Sequence, residues 1–83
     1  MEKEILINLN SIKKVKEFIN KVSKFNPKEI SLDLISGRYI VDAQSIMGIF
    51  SLDLSKNITL RILTNNENLI DKLKKEIDIY IVK

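Results

Sequence analysis

With neither histidine nor cysteine present, chemistry in this chain is left to hydroxyls and charged side chains. Ser45 is the most pointed of these. It follows a run of strand-like residues and opens the segment Ile46-Met47-Gly48-Ile49-Phe50, where a helix N-cap belongs. A cap serine accepts a hydrogen bond from one of the otherwise unpaired amides of the first helical turn. Ile46, Met47, Ile49 and Phe50 supply more apolar surface than one side of a two-turn helix buries, so Ile46 and Met47 are expected to stay exposed around the cap. Such a serine is either a plain cap or a phosphorylation and docking site. A phosphate there adds roughly −2 charge where amides and the helix dipole stabilise it.

Ser11 is a second hydroxyl at a helix start. Capping explains it fully; the alternative is an anion site in which Lys13 and Lys14 assist the free amides. Lys13, Lys14, Lys16, Lys21 and Lys24 read as a solvated face that would also suit an acidic partner. Asp33, Asp42 and Asp53 are separated carboxylates with nothing to mark an acid/base pair. No triad of the usual kind is available, and Gly37 and Gly48 alone cannot make a glycine-rich phosphate loop. A metal would have to be held by carboxylates, and they form no dense cluster along the chain. An enzyme, a metal site and a cofactor are therefore not expected.

The elements that must position these groups follow from periodicity. Glu4 to Asn8 alternates as a first strand, with Ile5 and Ile7 on one side and Leu6 on the other. Ser11 then caps a helix reaching about Phe25, whose stripe is Ile12, Val15, Phe18, Ile19, Val22 and Phe25. Pro27 closes it by disfavouring helical geometry at Asn26. Glu29 to Ile35 is a second strand with Ile30, Leu32 and Leu34 on one side, Ser36-Gly37 a tight turn, and Arg38 to Ala43 the returning strand with Val41 and Ala43 inward. The Ser45 helix ends near Leu52 to Leu54. Ile58 to Thr64 is a fourth strand with Ile58, Leu60 and Ile62 inward, and Asn65 or Asn66 caps a last helix through Leu69, Ile70, Leu73 and Ile77. Asp78 to Lys83 is β-prone where that helix should fray. It is either a last helical turn packed on the core, or an added strand or arm over Leu6, Ile35, Ile40 or Leu63.

This order predicts an α/β two-layer open-faced β-sandwich: a four-stranded antiparallel sheet covered on one face by three helices. Eighty-three residues predict a single domain, 1–83. The composition, 45% apolar and 30% charged, suits a folded globular chain, and a net charge of +3 does not by itself make a nucleic-acid protein. No apolar run approaches the ~20 residues of a membrane span. Met-Glu-Lys-Glu lacks the pattern of a secretion signal, so a cytoplasmic protein is expected.

Ser45-Ile46-Met47-Gly48-Ile49-Phe50-Ser51-Leu52 resembles the regulatory-serine segment of the HPr phosphocarrier family of the bacterial sugar phosphotransferase system. The family pattern is serine, aliphatic, methionine, glycine, two apolar residues, serine and leucine, and the order of elements agrees over nearly the whole chain. The resemblance implies an active-site histidine at the start of the first helix. Alignment by the apolar stripe puts Ser11 at that position and Lys13 at that of the family's arginine. With no histidine anywhere, the phosphohistidine relay is expected to be absent.

Loss of the histidine with retention of the serine resembles the catabolite-repression HPr-like branch called Crh. That resemblance implies phosphorylation of Ser45 by HPr kinase/phosphorylase, with docking on a catabolite control protein A-like regulator. Ile46, Met47, Phe50, Lys13 and Lys14 are the expected partner-binding residues, in a bacterial cytoplasmic protein that is a monomer or weak homodimer and touches no nucleic acid or membrane directly. Two positions depart from the family pattern: Asp53 stands where glycine is usual, and Gln44 where a basic residue commonly precedes the serine. A second reading is a degenerate HPr-like scaffold, dimeric through its open sheet face or C-terminal run, that binds a partner without modification.

Overall fold

Alternation over Ile30–Ser36 and Ile58–Thr64, broken only by Ile35 and Leu63, makes one face of each strand apolar, and those two strands lie side by side at the centre of the sheet. In the computed structural model, which describes residues 1–83, β1 spans Glu2–Ile7, α1 Ile12–Val22, β2 Ile30–Ser36 and β3 Tyr39–Asp42. The remaining elements are α2 Ile46–Phe50, β4 Ile58–Thr64 and α3 Glu67–Glu76, followed by a short 3-10 turn over Asp78–Tyr80. The sheet is four-stranded and antiparallel throughout, in the order β1-β4-β2-β3.

Its inner face supplies Ile7, Ile30, Leu32, Leu34, Ile58, Leu60 and Ile62, all buried. Against them pack Val15, Phe18 and Val22 from α1, Ile49 from α2, and Ile70 and Leu73 from α3. Each such side chain contributes roughly 1.5–3 kcal/mol by leaving water. The other face stays open, with Leu6, Ile40 and Leu63 exposed, as the alternation predicts. The open-faced two-layer sandwich expected from the sequence is therefore the fold.

Several boundaries differ from the sequence expectation. The first strand is Glu2–Ile7 rather than Glu4 to Asn8, because β4 is long enough to pair with Glu2 and Lys3. Helix α1 stops at Val22, not Phe25: Ser23 caps it, Phe25 turns back to donate to the Val22 carbonyl, and Phe25 is only half buried. Ile12, assigned to the apolar stripe, is 63% exposed, since it heads the helix one turn before the core begins at Val15. The third strand begins at Tyr39. Arg38 is instead the second residue of a two-residue turn in which Gly37 takes φ 60° and Arg38 does not, the sign pattern of a type II′ hairpin.

The C-terminal run begins as the helical turn packed on the core that was one of its two expected courses, a 3-10 turn over Asp78–Tyr80, and does not cover the open face at Leu6, Ile35, Ile40 or Leu63. Tyr80 swings in to pack edge-on against Phe18 with ring centroids 5.8 Å apart, and is buried. Ile81 then bridges to Ile7, with Asn8 donating to the Tyr80 carbonyl at 2.8 Å and Val82 to that of Leu6 at 2.9 Å. The tail therefore pairs with the C-terminal end of the outer edge of β1 and leaves the open face bare.

Candidate functional site

The chain leaving β3 is turned into α2 by a local device. The Asp42 carboxylate accepts from the Gln44 amide at 2.7 Å, and the Asp42 carbonyl accepts from the Ser45 amide at 3.0 Å. Ala43, fully buried, anchors that turn from below. Ser45 is thus delivered in extended geometry (φ −91°, ψ 104°), its Oγ accepting from the Gly48 amide at 3.1 Å, and the Ile49 amide starts the helix on the Ser45 carbonyl at 2.9 Å. The N-cap expected at Ser45 is present.

Five residues make a helix too short to persist alone, so its orientation is set by Ile49, which is fully buried. With Ile49 pointing in, Ile46 and Phe50 are each 39% exposed and Met47 79%. Ser45 itself is half buried, at the rim of a cleft of about 490 Å³ lined by Pro27, Ile30, Ser31, Leu32, Asp42 and Gln44. Gly48 matters by its lack of a side chain: a β-carbon there would lie 3.1 Å from both Ser45 Oγ and Val41 Cβ.

The Ser11 cluster is a separate site. Ser11 caps α1 by accepting from the Lys14 amide at 3.1 Å, with Ser11 and Lys13 exposed and Lys14 half buried. Gln44 donates to the Val22 carbonyl at 3.4 Å, so the start of α2 meets the C-terminal end of α1. Eleven residues of helix rise roughly 16 Å, which holds Ser11 a helix length away from Ser45. Ser45, Ile46, Met47 and Phe50 are brought together; Ser11, Lys13 and Lys14 form a second group on the neighbouring helix.

Asp53, which departs from the family pattern, lies beyond the C-terminal end of α2. Its carboxylate accepts from the Ser55 hydroxyl and from the Ser55 amide at 3.1 Å, and these bonds, with Lys56 nearby, hold its pKa below the usual carboxylate value. The acidic group is therefore tied into its own turn. Sequence reading missed the positioning roles of Asp42 and Gln44, although an aspartate two residues before a turn amide is a legible signal. No cluster of metal-ligating side chains is present, and no helix is long and apolar enough to cross a membrane.

An antiparallel sheet in this strand order with three helices on one face is an HPr-like open-faced fold. Two solved structures carry the comparison. The HPr-C-His protein of Thermoanaerobacter tengcongensis superposes with a TM-score of 0.63 at 25% identity, over 92% of this chain and 91% of that one. The phosphocarrier protein HPr of Bacillus anthracis str. Ames gives 0.63 at 20% identity, over 92% and 94%, a likeness of fold. No protein-family model and no curated protein matches the sequence.

Proposed function

We propose that this chain is a non-catalytic HPr-like regulatory protein that receives phosphate on Ser45 and then binds a transcription regulator of carbon catabolite control. The observation that carries this is the apolar rim of Ile46, Met47 and Phe50, left in solvent beside a hydroxyl at a helix cap. Helix α2 contains no charged residue, so a phosphate on Ser45 would be read by basic groups of the partner, while the rim supplies apolar contact. Lys13 and Lys14 add a cationic contact on the adjoining helix. Without histidine the chain has no phosphohistidine to pass on, and Ser11, which the resemblance aligns with that position, caps α1.

Incubation with HPr kinase/phosphorylase and ATP, read by intact mass, tests this. One added phosphate is expected on the wild type and none on Ser45→Ala; an unmodified wild-type mass refutes the proposal.

A further inference from the structure

The two edges of the sheet are treated differently. Because the Ala43 amide donates to the Leu32 carbonyl at 3.0 Å, Leu32/Ala43, Leu34/Val41 and Ser36/Tyr39 are the hydrogen-bonded pairs of the β2–β3 ladder. Ile35/Ile40 and Asp33/Asp42 are the non-bonded ones, so the peptide groups of Ile40 and Asp42 point away from β2. On the opposite edge the tail takes the Leu6 carbonyl and the Asn8 amide, at the C-terminal end of β1. On β3 nothing takes those of Ile40, and neither proline nor lysine blunts the strand. Tyr39 and Ile40 are moreover 65% and 56% exposed. An open edge of this kind is a template for another strand.

The geometry points to a second copy of this chain as the occupant, joined β3 to β3 across a two-fold axis at Ile40. Antiparallel pairing about that axis makes Ile40 and its symmetry mate a hydrogen-bonded pair, each donating to and accepting from the other. It also sets Arg38 opposite the mate's Asp42, and Asp42 opposite the mate's Arg38. Arg38 makes no ion pair within its own chain, and only one oxygen of Asp42 is engaged, by the Gln44 amide. The charges thus complement one another under the same rotation that aligns the peptide groups, as a self-complementary interface requires.

A face-to-face dimer through the open sheet is the poorer alternative. That face carries Glu4, Asp33 and Asp42 in one cross-strand row with only Arg61 between them, and would meet its own like charges. The β3 dimer instead continues the sheet to eight strands and leaves α2 and Ser45 outside the interface, so its failure and the failure of Ser45 phosphorylation are separate results.

Sedimentation equilibrium from about 20 µM to about 1 mM, with amide hydrogen exchange at both ends, decides the matter. The weight-average mass should rise toward twice 9.6 kDa. The Ile40 amide should exchange about tenfold more slowly at the higher concentration, where bound copies dominate. Arg38→Asp, in an exposed turn, should remain monomeric throughout. Asp42→Arg should do the same, and an equimolar mixture of the two variants should associate, because each then meets opposite charge. A wild-type monomer at about 1 mM overturns the proposal. So does a dimer whose Ile40 amide exchanges at the monomer rate, or an Arg38→Asp protein that self-associates like the wild type. Should Asp42→Arg fail to fold through loss of the Gln44 turn, Arg38→Asp with the exchange measurement still decides.

Discussion

The Oγ of Ser45 accepts a hydrogen bond from the Gly48 amide at 3.1 Å, and a methyl group on Gly48 would sit the same 3.1 Å from that oxygen. The glycine therefore keeps clear the ground the serine occupies. Gly48→Ala should gain up to about 1 kcal/mol in helix preference. That gain is offset by contact with Val41 Cβ, which is fixed to strand β3 and cannot swing aside, an overpacking cost of roughly 1–3 kcal/mol. A net loss of about 1 kcal/mol in urea unfolding is expected, together with slower phosphate uptake at Ser45. A more stable variant with unchanged uptake would show that the close approach is unimportant.

Ser45 also has a purely structural duty as a cap. Ser45→Ala should cost about 1 kcal/mol by leaving the Gly48 amide unpaired, whereas Ser45→Asp, which can still accept that bond, should stay within about 0.5 kcal/mol of the wild type. Chemical denaturation of the three proteins side by side checks the ranking.

On the open face, Asp33 lies directly opposite Asp42 across the ladder, and Arg61 reaches Asp33 at 3.0 Å. Like charges facing one another in a non-bonded pair are unfavourable, and the arginine relieves them. Its Nε is buried without a partner, so the relief comes through the guanidinium tip alone. Arg61→Met should destabilise the fold by about 1 kcal/mol, the pair being partly solvated. Adding Asp42→Asn should recover part of that loss, because asparagine keeps the acceptor for the Gln44 amide while removing one charge. A double-mutant cycle that finds the two changes additive would separate Asp42 from this cluster.

Tyr80 should give the fold an alkaline limit. Burial raises its phenol pKa above the ordinary value, and the charge of Glu17 adds to the effect. The folded state thus favours the neutral phenol. That contribution is whole below about pH 10 and is lost as pH rises through the folded value. Stability measured across that range should fall more steeply for the wild type than for Tyr80→Phe. At neutral pH the substitution should cost under about 1 kcal/mol, because the hydroxyl contact with Glu17 is a long 3.5 Å.

Much of this architecture is written in local pattern. Period-two alternation placed Ile58–Thr64 to the residue, helical spacing with Ser11 in front located α1, and Ser36-Gly37 marked the hairpin. At the candidate site the cap and the unburied Ile46 and Met47 could be expected from too many apolar residues on too short a helix. The gap beneath Gly48 could not, since Val41 enters it from another element.

What the sequence determined alone is the number and kind of elements, the hydroxyl at the head of α2 and the loss of any imidazole chemistry, all properties of residue type and near-neighbour spacing. Tertiary structure decided that α1 yields at Val22, that Ile12 is left outside the core, and that Ile81 and Val82 go to the edge of β1. A β-prone tail takes whatever unpaired peptide groups stand within reach, and which strand offers them depends on strand order, a relation between residues far apart in the chain.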